Sequence, residues 1–404
     1  MKQAEILFIT STNLSTNPRC YKEIQLAIEN GYDASLVAFD LPGWSREFEK
    51  KYVETLGIKK FFYISGGRNP FLPWLFASLM EKLSRILYQL NIRTDFIVAM
   101  AESKRALLLL RTLKKLKHFP RLIIAHNPAA FYPASKFAKK INSRLGVDIE
   151  DYHPGEDNTP LLQHIEKKLM LNSLPAADYV SFAAPLILEE TEKIFSQSGK
   201  IHESWITINN AFPAADFPEH DNRETDKVSL VWFSQNIGSG RGLEQILPAL
   251  DKFRTNIELT LIGNTNESFS KQWINHRLYV KKLPPLASGE LNRLIGNYDV
   301  GLAIESGIDL NRKICLTNKL WVYFQSGIYI LSTDTPAQKK FLKDHPGHGI
   351  SCSPDEQSII EAIQNIIQDL GSIRSKKNER RLAAKNAGWE HEKNSLLSTW
   401  KNLL

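Results

Sequence analysis

Short β-rich runs alternate with amphipathic helical segments along the whole chain, and this alternation restricts the fold more than any other feature. Strands joined through helices run parallel, and a parallel sheet must be covered on both faces. The pattern therefore predicts doubly wound α/β units. Strand candidates of a first series are EILFIT, ASLVAF, RLIIAH, GVDIED, DYVSFA and WITINN, with helices expected over Pro18–Asn30, Ser103–Lys117 and Pro185–Phe195. From residue 211, AFPAADFPEHDNRETDK is rich in Pro, Asp and Glu, and reads as a linker. A second series follows: VSLVWFS, IELTLIG, DVGLAI, IYILST and GISCS, separated by helices beginning near Gly242, Gly289, Thr317 and Ala337. After residue 355 only helix is expected. At 404 residues the chain exceeds one simple core. The expected organisation is a Rossmann-like domain over 1–210 and a second over 211–389. A ligand is expected in the cleft at the carboxyl ends of both sheets.

Composition narrows the function classes. With 43% hydrophobic and 24% charged residues, the chain is an ordinary globular protein. Cys20, Cys315 and Cys352 are too scattered for a disulfide framework or a zinc pattern, which suits a reducing, cytoplasmic compartment. The opening EILFIT ends at once in polar residues, so it reads as a buried strand rather than a signal peptide. No apolar run is long enough to span a bilayer. The net charge of +7 is unevenly placed: from Arg85 to Arg144 there are thirteen Lys/Arg against Asp95 and Glu102, a local +11. No nucleic-acid motif accompanies this excess, so nucleic acid is not an expected partner. A basic face on one domain suits an anionic membrane surface, hence a peripheral membrane contact, or a phosphorylated substrate; a solvated face of ordinary helices is the plain alternative. The run 71–90, FLPWLFASLMEKLSRILYQL, reads as a helix buried against the sheet, with an apolar face that could add to such a surface.

Two segments point to an anion. LVWFSQNIGSGRGLEQILPAL, from Leu230, is a strand, a glycine-containing turn and a helix. Gly238, Gly240 and Gly242 allow close backbone approach, and Arg241 stands where a helix N-terminus would meet phosphate. Such turns occur in every α/β protein, so the pattern is weak alone. The second segment, DVGLAIESGIDLNRKICLTNKLWVYFQSG, delivers the chain to Thr317, a candidate N-cap that leaves the next amides for an anion. Lys319 then sits at the positive end of a helix, an unfavourable place unless an anion shares it. A lysine snorkelling to the surface is the competing explanation. Arg241 and Lys319, from neighbouring units of one sheet, would clamp a diphosphate.

RGLEQIL at 241–247, LTLIG at 259–263, DVGLAI at 299–304 and NKLWVYFQSG at 318–327, in this order and spacing, resemble retaining glycosyltransferases of the GT-B fold, of the bacterial cell-surface polysaccharide type. The first half is similar to that family in STNPRCYKEIQLAIENGYDASLV, LIIAHNPAAFYPASKFAKK, EDYHPGE and WITINNAF. GWEHEKNSLLSTWKNLL resembles its terminal helix, so residues 390–404 are expected to cross back to the first domain. The resemblance implies two Rossmann-like domains and transfer of a sugar from a nucleoside diphosphate sugar to a glycan or lipid-linked acceptor, with retained configuration. No Asp-x-Asp turn is present, so cationic side chains are expected in place of a metal, and no cofactor is expected besides the substrate.

Carried over residue by residue, the donor set is Gly240, Arg241, Gly242, Gly263, Glu305, Thr317, Asn318 and Lys319. Arg241 and Lys319 would neutralise the leaving diphosphate, and His126, at a strand end, would join them as a catalytic residue facing the sugar. Asn13, Ser15, Thr16, Arg19, Asp151 and His153 would line the acceptor side. An interior histidine and a helix cap are the competing explanations of His126 and Asp151. The chain also departs from the family. The two usual glutamates fall on Ile314 and Val322, and the first glycine of the diphosphate turn falls on Gln235. Glu305 is the nearest acid able to grip a ribose instead. These departures keep open a non-catalytic GT-B protein that binds a glycan or partner, and a same-fold nucleotide-sugar epimerase.

Overall fold

The computed structural model describes residues 4–43, 45–58, 60–117, 119–196, 204–220 and 225–404. Among them, β1 (Glu5–Thr10), β2 (Asp33–Asp40), β3 (Lys60–Ser65), β4 (Leu122–His126), β5 (Arg144–Ile149), β6 (Tyr179–Phe182) and β7 (Trp205–Thr207) form a parallel sheet in the order β3-β2-β1-β4-β5-β6-β7. The central strands are near-continuous apolar runs because helices cover both faces; Ile6, Leu7, Phe8 and Ile9 are all buried. Strand order reverses between β1 and β4, where Thr10 pairs with His126. This sheet belongs to one unit, made of the residues up to Ile208 together with Ser395–Leu404. The C-terminal segment is held by Trp400, whose Nε1 donates to the Tyr179 hydroxyl at 2.9 Å and whose ring meets Phe8 edge-on.

The second unit, Asn209–Asn394, is built on β8 (Val228–Ile237), β9 (Ile257–Thr265), β10 (Val280–Leu283), β11 (Val300–Ala303), β12 (Tyr329–Thr333) and β13 (Gly349–Cys352), in the order β10-β9-β8-β11-β12-β13. Here the order reverses between β8 and β11. These two strands pair only at Leu230–Val300 and Val231–Gly301, so they part early and open a crevice at their carboxyl ends.

Edge strands β3 and β10 have no counterpart among the sequence-stretches proposed above: β3 is half exposed and β10 carries Lys281 and Lys282, so neither shows a buried apolar run. Of the expected linker, Ala211 and Phe217 are buried in the core of the second unit, while 221–224 lie outside the described residues. The helix Phe71–Gln89 also departs from expectation. It buries Ala77, Ser84 and Tyr88 among neighbouring helices rather than lying against the sheet, and its other side is open.

Candidate functional site

Most of the residues expected to meet a donor are placed by one helix and one glycine turn, both beside the crevice between β8 and β11. Helix Asn318–Ser326 lies flush on β11 because Gly301 has no side chain; a Cβ there would stand 2.3 Å from Cγ of Tyr323. The Tyr323 ring meets Phe233 edge-on, and its hydroxyl donates to the Val231 carbonyl at 3.4 Å. One turn before Tyr323 is Lys319. Its Nζ lies 3.3 Å from Glu305 Oε1 and 5.5 Å from the centre of the Trp232 ring, and both charged side chains are about 15% exposed. Glu305 follows β11, and its backbone N–H donates to Thr333 Oγ1. Thr317 takes the N-cap position but makes no side-chain capping bond, and its buried Oγ1 has no hydrogen-bond partner among the described residues. The helix start thus keeps amide donors for an anion.

The glycine turn meets the same place. Gly242, with φ of 87°, packs on Ile304, the residue before Glu305; a Cβ at Gly242 would stand 2.7 Å from Ile304 Cγ2. Arg241 is exposed on that turn, one residue before Gly242. The Gly240 N–H donates to Glu244 Oε1 at 2.7 Å, a contact that the sequence reading did not single out. Gly263 is buried in β9, where a Cβ would lie 1.9 Å from the Ser234 carbonyl oxygen, so packing of β8 on β9 already requires that glycine. Asn318 is exposed and accepts a hydrogen bond from Asn210. Ile314 and Val322, where the family places acids, are buried and apolar. A cleft of about 470 Å³ adjoins the turn, lined by the polar ends of β8 and β9 from Asn236 to Ser239 and by Asn264, Thr265, Asn266 and Ser268. Its cluster of Asn, Ser and Thr after two successive strands was the available sequence signal.

In the first unit the structure corrects two expectations. Arg19 and His126 both point inward and are 1% exposed, so neither presents a surface to substrate. Arg19 Nε lies 2.7 Å from Asp148 Oδ2, and its Nη1 donates to the Ile208 carbonyl. His126 lies 3.4 Å from both Asp148 and Glu23. Burial alone would raise the Asp148 pKa, but Arg19, His126 and Ser181 hold it below the usual carboxylate range. Burial would lower that of His126, while Cys20, Glu23 and Asp148 around it raise it well above the ordinary histidine value. The physical reason for the correction is charge: each cation sits where buried carboxylates need it.

Asn13 is fully buried, and its Oδ1 accepts hydrogen bonds from Ser15 Oγ, Thr16 N and Thr16 Oγ1, so it shapes the first strand–helix turn. Ser15 is tied to Glu49 and to the Ser45 carbonyl, and Thr16 is exposed. Asp151 and His153 follow the end of β5. His153 Nδ1 lies 2.9 Å from Glu156 Oε1; burial would lower its pKa, but Glu156 raises it to about 9. Among the described residues, no three His, Cys, Asp or Glu side chains converge as metal ligands.

No protein-family model matches the sequence, and no curated protein does. Solved structures do. HepE of Anabaena, in complex with UDP and glucose, is 14% identical, with 99% of this chain and 100% of that chain covered and a TM-score of 0.66. A variant of S. aureus TarM, in complex with fondaparinux, α-GlcNAc-glycerol and UDP, is 10% identical over 99% of both chains, with a TM-score of 0.67. A candidate UDP-N-acetylglucosamine 2-epimerase of Listeria monocytogenes is 11% identical, with 98% and 95% covered and a TM-score of 0.58. With its two parallel sheets, each reversing strand order beside its first strand, and its last helix returning to the first unit, the chain has the GT-B fold.

Proposed function

We propose that the chain is a cytoplasmic glycosyltransferase that moves a sugar from a nucleoside diphosphate donor to a glycan or lipid-linked acceptor. One observation carries this reading: an uncapped helix start, the Lys319 ammonium and the Gly242 turn converge where β8 and β11 part. Charge neutralisation at that spot is what a departing diphosphate requires. UDP bound to HepE and to TarM supports a uridine nucleotide as the donor carrier.

In this reading the donor diphosphate lies over the start of helix Asn318–Ser326. Lys319 leaves Glu305 for the phosphate oxygens, and Arg241 closes from the glycine turn. Glu305, released from Lys319, accepts hydrogen bonds from ribose or sugar hydroxyls. As the glycosidic bond to phosphate breaks, the negative charge that grows on the leaving group is met by both cations. Retention of configuration rests on the resemblance of the motifs, and independence of a metal on cationic side chains standing where an Asp-x-Asp turn would otherwise be needed. His126 is buried, so its role is to hold β4 and β5 rather than to touch the sugar.

Titration calorimetry with UDP and with uridine tests the donor site: the diphosphate should account for most of the affinity, and Lys319→Ala should weaken UDP far more than uridine. Mass spectrometry of products from UDP-sugars then separates the chemistries. Binding without transfer or hydrolysis would favour the non-catalytic reading suggested by the apolar Ile314 and Val322. An epimerised sugar nucleotide would favour the epimerase.

A further inference from the structure

Helix Phe71–Gln89 exposes a stripe that an isolated globular unit has no use for. Leu72, Phe76, Leu79, Leu83, Ile86 and Leu90 are each between 46% and 75% exposed, at alternating intervals of four and three residues. They therefore form one continuous ridge along a helix of 19 residues, whose opposite side is buried. No described helix is long and apolar enough to cross a membrane, so such a ridge can meet lipid only by lying flat.

The surroundings select the occupant. Between Arg68 and Lys117 seven cations are exposed, namely Arg68, Lys82, Arg93, Arg111, Lys114, Lys115 and Lys117, against one exposed acid, Asp95. One is fixed on the ridge itself, through Phe76, and two others stack on other aromatic rings of the same helix. The Arg111 guanidinium lies 4.5 Å from the centre of the Phe76 ring, Arg68 lies 5.3 Å from that of Trp74, and Arg93 lies 4.7 Å from that of Tyr88. Lys82 borders the ridge on the helix itself, one turn from Leu79 and Ile86. A second copy of the chain would bring the same cations to a helix pairing and be repelled, whereas an anionic headgroup layer is complementary.

We infer that this helix is a membrane-docking element: the ridge enters the interfacial layer of an anionic bilayer while the flanking arginines and lysines contact lipid phosphates. The docking does not depend on the donor chemistry, so it survives or fails separately from sugar transfer.

Co-sedimentation of the full chain with vesicles tests it, using phosphatidylcholine alone and phosphatidylcholine mixed with phosphatidylglycerol. The chain should bind the mixed vesicles, and salt should reduce binding about tenfold or more. Leu79→Glu with Leu83→Glu should remove binding, as should Lys82→Glu with Arg111→Glu, each with an unchanged melting temperature because all four side chains are on the surface. Equal binding to both vesicles, no binding to either, or full binding by the ridge variant would overturn the inference. So would a dimer in light scattering that the ridge substitutions dissociate, since the ridge would then be covered by a second copy.

Discussion

The Lys319 ammonium lies 3.3 Å from the Glu305 carboxylate, and the two are equally shielded from solvent. A cation at the positive end of a helix is thereby tolerated, because the Glu305 carboxylate meets its charge. Losing a charge-assisted contact to phosphate typically costs roughly 1.5–3 kcal/mol, about ten- to a hundredfold in affinity. Lys319→Ala should weaken UDP by that factor while hardly affecting uridine. It should also lower the melting temperature by leaving Glu305 unpaired, and Lys319→Ala with Glu305→Gln should recover part of that loss. Glu305→Gln alone should tighten inorganic diphosphate, because Lys319 is released. Unchanged diphosphate binding in both single variants would reject the pairing as part of the site.

Gly242 is required twice, once for its left-handed backbone and once for its contact with Ile304. Gly242→Ala should destabilise the second unit by more than ~1 kcal/mol and reduce UDP affinity, since the turn must lift away from β11. Gly240→Ala is the control. It has φ of 75° but nothing within 4 Å of a built Cβ, so it should show the backbone cost alone. Thermal melts of the two variants, compared with their UDP titrations, decide this.

The buried Arg19–Asp148 pair predicts a stability effect with no catalytic signature. Arg19→Met leaves the buried Asp148 carboxylate with only His126 and Ser181 beside it and should cost ~3–5 kcal/mol in urea unfolding. Because the folded pKa of Asp148 is depressed, its contribution is complete above its unfolded value near 3.8. It is lost as the pH falls below that value toward the folded one. Arg19→Met should therefore resemble the unmodified protein more closely in acid than at neutral pH.

Glu102 predicts the opposite slope. Burial, followed by repulsion from Glu166, pushes its pKa from 4.5 to about 8, and its Oε2 is buried without a hydrogen-bond partner among the described residues. The folded state then holds a proton that the unfolded chain releases, so stability falls as the pH rises from 4.5 to about 8. Glu102→Gln should flatten that decline, and its melting temperature should gain on the unmodified protein most at pH 8. Parallel melting curves across this range would show that Glu102 is already solvated.

Strands such as EILFIT were legible because burial on both faces leaves only apolar residues, and EILFIT coincides with β1. Of the edge strands, β7 and β13 were read from WITINN and GISCS, whereas β3 and β10 were not, since one open side admits lysine and aromatic residues alike. For the site, the sequence placed Thr317 and Lys319 at a helix start and Gly242 at a turn, all of which follow from local chain chemistry. It did not reveal that Lys319 would touch Glu305, fourteen residues earlier, because that contact depends on Gly301 letting Tyr323 settle onto β11. Arg19 and His126 misled for a related reason: a strand end and a first turn look exposed in one dimension, while Asp148 and Glu23 reach them only in three.

Glu244 accepts from the Gly240 amide and Glu305 pairs with Lys319, so the glycine turn and the helix start each carry a carboxylate that is covalently part of the chain. On the proposed function, a diphosphate arriving there would displace tethered carboxylates and release few mobile ions to the solvent. Its affinity should consequently vary little with ionic strength, less than a bare cluster of cations would allow. The cell can change its salt without emptying such a site, because the ions that compete for it never leave the molecule.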